Sequence, residues 1–153
     1  MGERLDAGTL CTRTVTFAER TMPVNEAALL MRSHHVGCLV VVDDTPRGRV
    51  PVGVLTDRDI VTAVVAKDVD ARTLRVEDVM SAEPVVVRDD ASVIDLLRTM
   101  RAHGLRRLPV VDADGLLVGL ITLDDLLGVV AEELRATVAA IEAEQARESR
   151  QRR

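Results

Sequence analysis

Aromatic side chains are almost missing from this chain. Phe17 is the only one among 153 residues, with no tryptophan and no tyrosine. Stacking platforms for single-stranded nucleic acid bases are therefore absent, and a flat ring held here must sit between aliphatic side chains and backbone. A basic stripe is missing as well. The formal net charge is -5, and arginines gather only in the tail "RESRQRR", so no nucleic acid partner is expected. No apolar run reaches the roughly 18 residues that span a bilayer, which excludes a membrane partner from the expectations. The N-terminal "MGERLDAGTL" lacks an apolar signal core, so a cytoplasmic protein is expected. Cysteine is limited to Cys11 and Cys38 with no CxxC, the pattern of reduced thiols rather than of a disulfide framework. There is no nucleophile elbow, P-loop or GxGxxG; neither an enzyme nor a catalytic cofactor is expected. The chain length and a hydrophobic fraction of 47% allow one compact domain or two very small ones.

What the chain does have is repetition. "GVLTDRDI" (53–60) and "GLITLDDL" (119–126) share Gly, two aliphatics, Thr, two variable residues, Asp and an aliphatic. They are the centre of a longer duplication. At an offset of 69, "MRSHHVGCLVVVD" (31–43) meets "MRAHGLRRLPVVD" (100–112), and Met31, Arg32, His34, Leu39, Val41, Val42 and Asp43 find identical partners. The offset falls to 66 at the octets, so the first copy carries three extra residues, expected in a hairpin loop.

Each copy reads β-α-β-β-α. A short strand ("TVTF", "VVV") leads to an amphipathic helix opened by Pro23 or Ser92, with apolar residues spaced by three and four. A Val-rich run then predicts a buried strand, and a second strand ends at the octet threonine. The expected organisation is a first repeat over 10–66, a linker over 67–78 with a short helical turn, a second repeat over 79–134, and a C-terminal helical extension and tail over 135–153. A single copy leaves one apolar face open, and two copies packed together close it. The fold class is therefore α/β (α+β), with two repeats related by a pseudo-two-fold axis.

Thr-x-x-Asp at a strand-to-helix junction is a capping-box variant in which Thr56 and Asp59, or Thr122 and Asp125, exchange hydrogen bonds. Capping alone accounts for the spacing. The same geometry also suits a ligand, because a carboxylate at a helix start accepts well from vicinal ribose hydroxyls. Phosphate would need cations from elsewhere, and Arg58, Arg106 and Arg107 are the candidates. Asp57 with Asp59, Asp124 with Asp125, and the trio His34, His35 and Cys38 are not read as metal sites, since acidic pairs are common at helix starts and the trio lacks a fourth ligand.

The doubled octet, the "RRLPVVD" strand and the "VEDVMSAEPVVV" segment resemble the cystathionine-β-synthase (CBS) domain, here in tandem as a Bateman module covering about residues 10–134. The resemblance implies an adenosine-containing ligand (AMP, ADP, ATP, NAD or S-adenosylmethionine) in clefts between the repeats. It places Thr56 and Asp59 at one ribose, with Arg106 and Arg107 at that ligand's phosphate. It places Thr122 and Asp125 at a second ribose, with Arg58 at the phosphate. Thr12, Ser81 and Cys38 line the clefts. Two arginines favour the first site for a phosphate-bearing ligand, although Asp124 stands where the first octet has Arg58. The resemblance also implies a homodimer and a regulatory output through an unidentified effector protein. The alternative is a structural interaction or dimerisation module with no small-molecule ligand, its octets serving only as helix caps.

One long helix is expected from Leu123 onward. Leu127, Val130, Leu134, Val138, Ile141 and Gln145 fall close to a heptad seam that suits either a dimer contact or packing on the chain's own body. Arg147, Arg150, Arg152 and Arg153 complement the dipole at its C-terminus.

Overall fold

A computed structural model describes residues 5–151; Arg152 and Arg153 lie outside the described residues. Two sheets carry the fold. In the first repeat the elements are β1 (Phe17–Glu19), α2 (Val24–His34), β2 (Cys38–Thr45), β3 (Gly48–Thr56) and α3 (Asp57–Ile60), preceded by a one-turn α1 (Ala7–Leu10). The second repeat has β5 (Val87–Arg88), α5 (Val93–His103), β6 (Arg107–Val111), β7 (Leu117–Thr122) and α6 (Leu123–Gln151). Ahead of β5, in the second copy's lead segment, lie α4 (Val76–Val79) and β4 (Ser81–Ala82). The expected order of elements and the mixed α/β class are both present. The first strands start later than the sequence reading places them, at Phe17 rather than Thr14 and at Val87 rather than Val85. Parallel pairing decides this: only Phe17–Glu19 and Val87–Arg88 come into register with β2 and β6.

The helices form where spacing and caps coincide. In α2 the buried residues are Val24, Ala27 and Met31, one stripe facing the sheet, with Glu26 in the first turn and Arg32 and His34 in the last. In α5 the Ser92 hydroxyl caps the amide of Asp95 at 3.2 Å, and Leu96 and Met100 are buried. The helix after β3 differs from the expectation of one continuous α-helix: four α-helical residues pass into a π-helical turn over Val61–Val65.

The three extra residues of the first copy lengthen a hairpin instead of its loop. Asp43, Asp44 and Thr45 pair with Val50, Arg49 and Gly48 in the β2–β3 ladder. In the second copy the Asp112 carboxylate accepts the amides of Asp114 and Leu116 at 2.9 and 3.0 Å and turns the chain early. Arg47 at the longer tip reaches Asp114 at the shorter one, 2.8 Å away, so the two tips are linked.

Each repeat borrows its neighbour's lead segment. The first sheet has the order β1-β2-β3-β4, in which β4 comes from beyond the linker and pairs antiparallel with β3. In the second repeat, with sheet order β5-β6-β7, Thr12 bridges Leu120 of β7. The cores follow suit: Ala7 and Cys11 belong to the second repeat's cluster with Leu96, Leu108 and Ile121, while Val76 belongs to the first repeat's with Leu39, Val41 and Leu55. β3 and β7 meet between the two halves, the apolar closure that neither copy achieves alone.

Candidate functional site

The octets are built alike. Asp59 Oδ2 accepts from the amide and the hydroxyl of Thr56, both at 2.8 Å, and Thr56 Oγ1 accepts the Asp59 amide at 3.2 Å. Thr122 and Asp125 repeat the set with the same distances. The capping box is therefore formed in both copies, and it uses one oxygen of each carboxylate. The other, Oδ1, accepts no hydrogen bond from another described residue and remains able to receive a ligand hydroxyl. A second tie holds each junction: the Gly37 carbonyl accepts the Asp57 amide at 3.0 Å, and the Arg106 carbonyl accepts the Leu123 amide at 2.8 Å. The residue before each central strand is thereby locked to the start of the octet helix in its own repeat.

A cleft of about 290 Å³ lies between the repeats, lined by Thr12, Thr14, Val15 and Thr16, by His35 to Cys38, and by Arg107, Leu120 and Thr122. It brings Thr122, with Asp125 bonded behind it, to the segment that joins α2 to β2 in the other repeat. Of the residues expected at a cleft, Thr12, Cys38, Arg107 and Thr122 stand together here. Arg107 faces Thr122 of its own repeat. Arg106 is also on that side, 3.8 Å from Asp124 and in a smaller cavity with Thr122 and Leu123. Arg58 is exposed, and its amide donates to Asp57 Oδ1 at 2.8 Å; it does not line the cleft. Ser81 pairs with Val54 of β3 as Thr12 pairs with Leu120 of β7, so the two occupy equivalent places.

Sequence reasoning did not bring Thr14, Thr16, Val36 or Leu120 to the site, and it met His35 only as part of a metal trio. The signal was available in the offset of 69, which aligns 12–16 with 81–85, but the crossing of these segments onto the opposite sheet has no local pattern. Burial, above all, pushes the Cys38 thiol up to about 11, with Asp59 and Asp57 adding to the effect and Arg107 opposing it. Among the described residues no three His, Cys, Asp or Glu side chains converge as metal ligands, and no helix is long and apolar enough to cross a membrane.

Two β-α-β-β-α repeats that exchange lead segments around a ligand-sized cleft define a paired-repeat module. The chain belongs to the CBS-domain family, whose model matches residues 7–66 and 76–132. It is 33% identical over 125 residues to an uncharacterized protein of Methanopyrus kandleri, covering 82% of this chain and 62% of that one; it thus spans less than two thirds of that relative's length. Among solved structures it is similar to the CBS-pair protein CBSX2 of Arabidopsis thaliana, which has been solved in complex with AMP. That complex matches with a TM-score of 0.70 and 29% identity over 83% of this chain and 96% of that one. It is similar also to the cytosolic domain of the Mg2+ channel MgtE in complex with ATP, with a TM-score of 0.68 and 32% identity over 81% of this chain and 48% of that one.

Proposed function

We propose that the chain is a regulatory module, not an enzyme, that binds an adenosine-containing ligand between its repeats and signals the bound state to a partner protein as a homodimer. The observation that carries this reading is the cleft itself, where Thr122, hydrogen-bonded to Asp125 behind it, meets the Thr12–Thr16 and His35–Cys38 segments. Asp125 takes the ribose hydroxyls through its open oxygen, and Arg107 takes phosphate. Thr56, Asp59 and Ser81 form the corresponding ribose place in the other half; Arg106, on the Thr122 side, and Arg58 are the further phosphate ligands. Adenine lies against Val15, Val36 and Leu120, an aliphatic sandwich in a chain without rings to stack on. The AMP and ATP complexes of similar proteins support an adenine nucleotide.

The second reading is an interaction module without a ligand. It is favoured by the capping boxes, which by themselves explain the octets, and by the exposed apolar side of α6. Thermal unfolding followed by circular dichroism separates the two, with AMP, ADP, ATP, NAD and S-adenosylmethionine added in turn. A ligand at about a hundred times its dissociation constant adds roughly 2.7 kcal/mol, a rise of several degrees. The Asp59→Ala, Asp125→Ala double variant loses roughly 0.5–2 kcal/mol per cap and loses the ligand response. No rise with any of the five ligands overturns the nucleotide reading and leaves the second.

A further inference from the structure

We infer that His35 is a phosphate-binding residue of the cleft, and that together with Arg107 it selects a nucleoside 5′-monophosphate. The inference deepens the nucleotide reading and rests on it. It starts from an asymmetry between the repeats. Helix α2 ends on His35 in the left-handed conformation, φ 54 and ψ 40. Helix α5 ends at the equivalent place on Gly104, φ 63 and ψ 33. Glycine adopts this conformation without steric cost, whereas any side chain meets one. Histidine is one of the few residues found there more often than most. A Cβ on Gly104 would meet nothing within 4 Å, so that position has no near neighbour to satisfy. One copy uses the unstrained residue, and the other carries a histidine that borders both the cleft and the open groove along α2.

That imidazole has no internal task. Its ring makes no hydrogen bond or ion pair with another described residue, and neither does the guanidinium of Arg107. Arg106 beside it is different, being directed to Asp124. Two unpartnered nitrogen donors, one from each repeat, therefore line the same cleft, accompanied by the hydroxyls of Thr12, Thr14, Thr16 and Thr122. The lining itself holds no carboxylate; the nearest are Asp125, bonded to Thr122 through one oxygen, and Asp57, which stands against Gly37. With a guanidinium on one wall, an imidazole on the other and no carboxylate in the lining, the cleft suits a tetrahedral anion whose oxygens accept from both. The cleft offers one guanidinium and one imidazole, which match a single phosphate better than the larger charge of a di- or triphosphate.

Titration calorimetry on the full chain tests this with adenosine, AMP, ADP and ATP against the wild type, His35→Gly and His35→Lys. The wild type is expected to bind AMP at least tenfold tighter than adenosine and tighter than ATP. His35→Gly, which removes the strained side chain, is expected to keep or raise its melting temperature and keep its adenosine affinity while losing about tenfold in AMP affinity, the size of one charge-assisted hydrogen bond. His35→Lys restores the preference for AMP. An unchanged AMP-to-adenosine ratio in His35→Gly overturns the role of His35 and leaves the nucleotide reading standing. ATP binding tighter than AMP in the wild type overturns the monophosphate selection. Failure of both adenosine and AMP to bind the wild type overturns the nucleotide reading itself, and this inference with it.

Discussion

Cys11 packs its thiol against Gly119, across the boundary between the repeats. The backbone beside it is paired as well: the Thr12 amide donates to the Leu120 carbonyl at 2.9 Å, and the Leu120 amide returns a bond to Thr12 at 3.0 Å. A Cβ at position 119 would collide with the Cys11 sulfur and stand 2.8 Å from the Thr12 carbonyl. The other octet has the same relationship, where a Cβ on Gly53 would come 2.5 Å from Met80 Sδ and 3.0 Å from the Ser81 carbonyl. The glycine that opens each octet is thus the point where the other repeat's lead segment crosses the strand.

Gly119→Ala and Gly53→Ala should each destabilise the chain by about 1–3 kcal/mol, the usual cost of overpacking a tight contact. Chemical denaturation with urea measures it. A Cys11→Gly, Gly119→Ala pair should recover only part of the loss, because the Thr12 carbonyl still stands in the way. Full stability in the single glycine variants would mean that the lead segments do not cross there.

Cys38 should be unreactive at neutral pH. It is 6% exposed, and a thiol that ionises at about 11 holds its proton far above pH 7. Alkylation by iodoacetamide should be slow in the native chain and fast after unfolding, and AMP in the cleft should slow it further. The sign of the pH effect follows from linkage. The unfolded thiol ionises near its ordinary value of 9.0, below the folded value of about 11. The stability it contributes is fully present below pH 9 and declines as pH rises toward 11. Cys38→Ala should flatten that part of the alkaline decline, as read from melting temperatures across the range.

The end of α6 should mediate self-association. Leu134, Val138 and Ile141 are 64%, 47% and 51% exposed and lie on one side of a helix that runs to Gln151, so they do not pack on the chain's own body. Replacing Leu134 and Ile141 by Asp should change folding stability by no more than about 0.5 kcal/mol per site, as for other exposed positions. It should lower the apparent mass in sedimentation velocity at ten micromolar if this side is the dimer contact. A wild-type monomer, or a variant that stays dimeric, would remove α6 from the interface.

Much of this molecule is legible without coordinates because its signals are local. The α2 and α5 stripes depend on residues three and four apart, and the β2 and β6 runs on uninterrupted aliphatics. The two capping boxes depend on a Thr and an Asp three positions apart. The hairpin extension at Asp43–Thr45 has no local signature, since polar residues such as Asp44 and Arg49 read as loop until they are paired across a ladder.

The sequence alone is enough for two copies of one β-α-β-β-α unit, for a Thr-x-x-Asp cap in each octet, and for an apolar stripe that continues past the second copy. The copies show in a constant offset along the chain, and the caps and the stripe in residues three and four apart. Sheet packing is what carries Cys11 and Val76 into the other repeat's core, makes Gly53 and Gly119 crossing points, and brings His35 into one cleft with Arg107. Those contacts join residues far apart in the chain. They are fixed by which apolar faces close on each other when the two sheets pack, and no local spacing records that choice.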